Sequence, residues 1–487
     1  MITALLLFWP ALAALLVLLI KGQGAKKVAF IAALVEFALA LFATSQFDST
    51  DGAMQLSLNM PWVESAGISF SIGMDGISLL MVLLTTFLVP LIILSAFKHD
   101  YKNPHIFYAL VLFMQTGLIG VFVSLDAFLF YFFWEVALIP IYFIAAIWGG
   151  ENRIKVTFKF FVYTIFGSLF MLAAFVYLYF QTGATGASAH SSDVQAFYQL
   201  ALDSDTQSWV FWFLFIAFAI KMPVFPFHTW QPDTYTESPA QATMLLSGIM
   251  LKMGIYGVLR WLLPVVPMGV SQWDELVLVL SIIGIVYASI IAIRQRDLKR
   301  LIAYSSIAHV GLIAAGIFTL NEQGLQGGII QMLSHGINVT GLFFIIDIIQ
   351  RQTNTREISS LGGITQNAKG LSIFFMILLM GSIALPLTNG FIGEFLLLMG
   401  VYQYNAWFGA VAGLTIILGA VYMLRMFQGV MFGNKSEHTE AFRDLSASEL
   451  AVLIPLVIMV FWIGLFPNTF LSISEPAVNN LLSIIKR

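Results

Sequence analysis

Two lysines, two histidines and two glutamates sit where a largely apolar chain has little reason to keep charge. They are Glu135 in YFFWEVALIP, Lys221 in IKMPVFPFH, Lys252 in GIMLKMGIYG, His309 in YSSIAHVG, His335 in MLSHGINVT and Glu394 in FIGEF. Each falls inside an apolar run long enough to span a membrane. A charge at the bilayer centre costs about 2.5–3.5 kcal/mol on insertion scales, so such residues face a bundle interior and a partner. A glutamate and a lysine in one dry bundle offset each other's desolvation, and a proton moved on one shifts the affinity of the other. A lysine stripped of water exchanges protons near neutrality. Histidine relays them with little driving force. Together these residue types suit proton transfer through a dry interior.

Plainer readings stand beside that one. Glu135 and Lys221 could be a static ion pair fixing span 5 against span 7. Lys252 could snorkel to an interface, although it lies mid-span. The histidines could be satisfied core residues or could bracket a haem between spans 10 and 11. Glu394 could be held by the free backbone donors of a broken helix. Glu36 and Asp347 read as structural, Asp347 lying near a helix end and reaching the interface. In the stretch HTWQPDTYTESP, Asp233 and Glu237 either gather protons at the inner mouth or belong to a solvated loop with His228.

The elements that must position these residues follow from composition. Hydrophobic residues make up 59% of the 487 and charged residues 10%, against about 25% charged in soluble domains. That excludes an ordinary soluble enzyme, a polar disordered segment and a basic nucleic-acid binder. Cysteine is absent, so disulfides, thiolate clusters and cysteine nucleophiles are excluded together. Neither a Walker A pattern nor a GxGxxG turn occurs, so the chain shows no nucleotide or redox-cofactor site of its own.

Windows of about 20 residues give fourteen candidate spans. They lie near 2–20, 28–46, 76–97, 105–124, 128–148, 156–180, 208–227, 239–263, 275–293, 298–318, 324–349, 371–402, 407–429 and 450–468. The sizeable loops are 47–75 and 181–207. The first basic residue, Lys21, follows the first run, so that run reads as a retained span rather than a signal peptide. Basic residues such as Lys26, Lys98, Arg153, Arg300, Arg351 and Arg425 fall in loops after odd-numbered spans, and none falls in loops after even-numbered ones. Basic residues concentrate in cytoplasmic loops, which puts both termini outside.

Spans 4–8 and 9–13 form two blocks of similar length and odd span number, so the second enters the membrane inverted. The fourth span of each block is interrupted, by Pro223 and Pro226 in span 7 and by Pro386 and Gly390 in span 12. Matched interruptions in an inverted repeat point to a transport site. The predicted fold is an all-α polytopic membrane protein with two inverted five-helix repeats and broken helices 7 and 12. Its parts are 1–104, 105–263, 275–429 and 450–487.

The runs FFWEVALIPIYF, FAIKMPVFPFHTWQPD, LLSGIMLKMGIYG, RLIAYSSIAHVG and LSHGINVTGLFF resemble the antiporter-like membrane subunits of respiratory complex I, from about span 3 to span 13. Fourteen spans and an acid at Glu394 resemble the shorter branch of that family. The resemblance implies a proton-translocating role coupled to quinone reduction elsewhere. It implies Glu135 and Lys221 as a coupled pair, Lys252 as central relay, and His309 and His335 as the connection to Glu394 at the exit. It also implies other membrane-arm subunits as partners, FMN, iron–sulfur clusters and quinone bound by partner subunits, and a bacterial cytoplasmic membrane. Multisubunit Na⁺/H⁺ antiporters and membrane-bound hydrogenases share the fold and stand as alternatives, as does an inert spacer.

Overall fold

The computed structural model describes residues 1–184 and 190–486. Part of the predicted loop 181–207, and Arg487 at the end of the predicted last segment, lie outside the described residues. The described chain is a helical bundle with one two-stranded hairpin.

Aspartate caps set where several of the helices begin. α1 (Ile2–Leu19) and α2 (Gly24–Ser45) lead to a hairpin of β1 (Gln55–Val63) and β2 (Ile68–Met74). Asp75 then caps α3 (Gly76–Ser95) by accepting from the Ser78 amide. α4 (Pro104–Val123) opens on proline, whose missing donor costs nothing at a helix start. Asp126 caps α5 (Ala127–Trp148), and α6 (Arg153–Ala184) and the short α7 (Val194–Tyr198) follow. Asp203 caps α8 (Ser204–Lys221), which breaks before α9 (Gln231–Glu237). α10 (Ala240–Leu262) contains two π-helical turns, Leu246–Met250 and Val258–Leu262.

The remaining helices are α11 (Pro267–Arg294), α12 (Leu298–Ile317), α13 (Glu322–Thr353), α14 (Lys369–Ser382), α15 (Asn389–Tyr404), α16 (Ala406–Met431), α17 (Ala447–Leu465) and α18 (Asn468–Ile485). Among the described residues, twelve helices are long and apolar enough to cross a membrane. The two predicted broken spans correspond to α8 and to α14 with α15. α10 and α13 form the centre, each with a fully buried eighteen-residue stretch. α1, α2, α16 and α17 present large apolar side chains outward, among them Leu16, Phe42, Ile417 and Ile458, as helices in lipid should.

Two features escaped the sequence reading. The loop 47–75 folds into the hairpin. Beyond the span predicted to end at 468, the chain turns at Phe466–Pro467 into α18, which packs on α3 and α13. Its apolar positions Ala477, Val478, Leu481 and Leu482 are buried while Asn480 and Lys486 are exposed. That one-sided pattern marks a helix lying on a surface.

Candidate functional site: a polar thread through the bundle

At the centre, α10 crosses α13 at two glycines. A Cβ on Gly336 would lie 2.8 Å from the Gly248 carbonyl oxygen, so Gly336 cannot carry a side chain without moving the helices apart, and one on Gly248 would crowd the Thr340 hydroxyl of α13. This close approach brings the next positions together. Lys252, fully buried, donates from Nζ to the Ser247 carbonyl at 2.6 Å and lies 3.0 Å from His335 Nδ1. The π turn at Leu246–Met250 widens the helix at Ser247, whose carbonyl meets the lysine five residues on.

The contacts continue from His335. Its ring stands edge-to-face with that of His309 on α12, centroids 5.9 Å apart. His309 Nδ1 lies 3.1 Å from Glu394 Oε1 on α15. That contact is within ion-pair range but not aligned as a hydrogen bond, since both atoms lack a hydrogen-bond partner. Each imidazole thus turns Nδ1 to its own ionisable neighbour, Lys252 Nζ on one side and the Glu394 carboxyl group on the other. Lys252, His335, His309 and Glu394 form one buried file across four helices. At its far end Tyr422 shares a hydrogen bond with Ser305, 3.1 Å between oxygens, one turn before His309.

The breaks support this file. Where α14 ends, Ala384 and Leu387 take positive φ of 59° and 74°, a conformation that costs about 1–3 kcal/mol each in non-glycine residues. α13 holds the restart of the helix. Ser334 Oγ donates to the Asn389 carbonyl at 3.0 Å, Asn338 Nδ2 to Asn389 Oδ1 at 3.1 Å, and Asn389 Nδ2 to the Ser334 carbonyl at 3.3 Å. At the other break, Trp230 Nε1 donates to the Ile220 carbonyl at 2.9 Å, which gives a partner to a backbone group that lipid could not satisfy.

Glu135 and Lys221 differ from expectation. They form no ion pair within 4.0 Å among the described residues. Lys221, the last residue of α8, has no hydrogen-bond partner for Nζ, which sits 5.2 Å over the Trp134 ring. That is a cation–π distance. Glu135 is half-buried and its Oε1 is also without a partner. Helix α8 nevertheless packs directly on the centre, since a Cβ on Gly254 would lie 2.7 Å from the Phe218 carbonyl oxygen and 2.8 Å from the Met222 nitrogen. The end carrying Lys221 is therefore pressed against α10 within a turn of Lys252.

Residues 124–419 match the family described as NADH:quinone oxidoreductase/Mrp antiporter, TM. Residues 7–121 match NADH-ubiquinone oxidoreductase chain 4, amino terminus. The chain belongs to this family. NADH-quinone oxidoreductase subunit M of Rickettsia typhi is 39% identical over 495 residues, covering 99% of this chain and 98% of the relative. The subunit M of Rhodobacter capsulatus is also 39% identical, with 98% and 96% covered. A chain of respiratory complex I from Thermus thermophilus with bound NADH superimposes with a TM-score of 0.91 at 30% identity over 100% of both chains. A chain of the Mrp complex from Dietzia sp. DQ12-45-1b shares the fold, with a TM-score of 0.87 at 20% identity over 99% of both.

In this family member the end bearing the basic loops also holds a network of polar residues. Asp347 lines a cavity that opens at that end. It is buried, with both carboxylate oxygens 3.0 Å from His99 Nε2 and one 3.1 Å from Arg351 Nε. Arg351 also binds Glu449 at 2.7 Å, and Glu449 binds Lys98 at 3.1 Å. This network ties the ends of α3, α13 and α17. Lys299 lies buried in the first turn of α12, which Asp297 caps. Asp233 is bridged by Lys159 and Arg300, each at 3.0 Å. Glu237 accepts from the Asn152 amide.

His228 is buried between Phe225 and Tyr287, and Glu36 is buried on α2 with neither carboxylate oxygen hydrogen-bonded. At the opposite end, Arg260 forms a buried 2.5 Å ion pair with Asp75. An arginine closing one apolar span and an aspartate opening another were the available signal, but nothing local said they meet.

Proposed function

We propose that this chain works as the M-type membrane subunit of an NADH-quinone oxidoreductase, moving protons outward across a bacterial cytoplasmic membrane while other subunits reduce quinone. The observation that carries this reading is the buried file of neighbouring ionisable side chains Lys252–His335–His309–Glu394. Lys252 takes a proton from the inner side. Lys221, held against α10 and close to Glu135 in the helix order, sets the charge that Lys252 feels. When the field around Lys252 turns unfavourable, the proton passes to His335, then His309, and leaves from Glu394. One charge moved against 100 mV costs about 2.3 kcal/mol, equivalent to a change of about 1.7 units in proton affinity. Rearranging one nearby buried charge is of that order.

On this reading the chain supplies only proton-holding groups, and FMN, iron–sulfur clusters and quinone belong to partner subunits. It acts as part of a proton-translocating oxidoreductase. Fourteen crossings, both termini outside and residues 105–263 and 275–429 as an inverted pair complete the proposal. A mere spacer would have no use for an uncompensated Lys221 in a dry bundle.

The test is replacement of Lys221, Glu135 or Lys252 by Ala in the intact complex, with NADH-driven acidification and quinone reduction measured in membrane vesicles. Loss of pumping in assembled complexes is the expected outcome. Pumping equal to the unsubstituted complex in all three would end the reading. Copurification with antiporter subunits and without FMN or iron–sulfur proteins would favour the Na⁺/H⁺ alternative.

A further inference from the structure

The file through the bundle begins at Lys252, which is sealed from both sides of the membrane, so a proton needs a way in. A polar cavity of about 610 Å³ opens at the end carrying the basic loops. His99, Glu237, Ser238, Lys299, Asp347 and Arg351 line it. Two of its acids, Asp347 and Glu237, are engaged. Asp347 is held by His99 and Arg351, and Glu237 accepts from a backbone amide. Lys299 is the exception. Only 2% exposed, it has no carboxylate within 4.0 Å among the described residues and is hydrogen-bonded to neutral oxygens, the Ser238 carbonyl at 2.6 Å and the Thr243 hydroxyl at 3.5 Å.

Thr243 begins a polar stripe that runs down α10 to the centre. Residues four apart share one face of a helix, and positions 243 and 247 obey that spacing. Thr243 Oγ1 donates to the Tyr235 carbonyl at 2.9 Å, which leaves its lone pairs toward Lys299. Ser247 Oγ donates to the Thr243 carbonyl at 2.7 Å, and the Ser247 carbonyl receives Lys252 Nζ at 2.6 Å. Between the two buried lysines, α10 thus presents the hydroxyls of Thr243 and Ser247 on one face, each tied to a backbone carbonyl.

We propose that Lys299 is the proton-loading site of this subunit: it takes a proton from water in the inner cavity and delivers it along the Thr243–Ser247 face of α10 to Lys252. The Lys299 ammonium gives up one proton and becomes a neutral amine. The Lys252 amine gains one and becomes an ammonium. Lys299 is recharged from the cavity, and no net bond to either hydroxyl is made. The inference rests on the role proposed above for Lys252.

The competing role for Lys299 is mechanical, a cation clamping the start of α12 to the Ser238–Pro239 junction. Arginine separates the two, since it keeps the charge and donors but does not release its proton. The experiment uses the assembled complex in vesicles, with protons moved per NADH measured for Lys299→Met, Lys299→Arg, Lys252→Ala, Thr243→Ser and Thr243→Val. Both Lys299 variants are expected to fall to the level of Lys252→Ala. Thr243→Val, which removes the hydroxyl, is expected to pump far less than Thr243→Ser, which keeps it. Full pumping in Lys299→Arg or Lys299→Met, while Lys252→Ala is impaired, overturns the loading role and leaves the proposed function standing. Normal pumping in Lys252→Ala removes the proposed function itself. If neither Lys299 variant assembles, the Thr243 pair decides, and equal pumping by Ser and Val overturns the inference.

Discussion

His309 stands between groups of opposite character, His335 toward Lys252 on one side and Glu394 on the other. A neutral imidazole accepts on one nitrogen and donates on the other, and the proposed relay uses that property. In the proposed path Glu394 is the group that receives the proton. Glu394→Gln keeps the shape and removes the charge, and we expect an assembled complex with a lowered ratio of protons to NADH in vesicles. An unchanged ratio would take Glu394 out of the path. The Arg260–Asp75 pair makes a contrasting residue-level case. Removing one partner of a buried pair costs about 3–5 kcal/mol, because the other charge is left alone, while replacing both by apolar groups is often neutral. Asp75→Leu should therefore destabilise the protein strongly in thermal unfolding of the solubilised complex, and Asp75→Leu with Arg260→Met should recover most of the loss. A double variant as unstable as the single one would mean the pair does more than balance charge.

Element by element, the site depends on where helices are allowed to be irregular. The α10–α13 crossing is close enough for Lys252 to touch His335 only because Gly248 and Gly336 are bare there. Gly336→Ala should force the helices apart at a cost of about 1–3 kcal/mol, typical of overpacking, and impair pumping without touching a titratable group. Normal pumping and an unchanged melting temperature in that variant would show that the crossing tolerates more separation than we argue. The breaks were visible in the sequence as Pro223, Pro226, Pro386 and Gly390. Their consequences were not. Neither the capture of the Ile220 carbonyl by Trp230 nor the stitching of Asn389 to Ser334 and Asn338 follows from local pattern, because the partners lie on separate elements.

For the molecule as a whole, the basic loops cluster at one end and the hairpin with α18 caps the other. The absence of cysteine makes sidedness directly measurable, since any introduced thiol is unique. Both Asn59, on the hairpin, and Glu437, between α16 and α17, are exposed. A membrane-impermeant thiol reagent applied from outside should label Asn59→Cys at once and Glu437→Cys only after the membrane is opened; the reverse pattern would invert the proposed orientation. The apolar runs, the charge asymmetry between loops and the six ionisable residues in the spans were all legible from residue order. A bilayer punishes misplaced charge and unpaired backbone so heavily that location in sequence nearly fixes location in depth. Depth says nothing about azimuth. Whether Lys221 faces Glu135 or the Trp134 ring, whether Lys299 lies in a loop or under one, and which arginine finds Asp75 depend on how each helix is rotated against its neighbours. Contacts between residues hundreds of positions apart set that rotation, so it was decided only when the bundle packed.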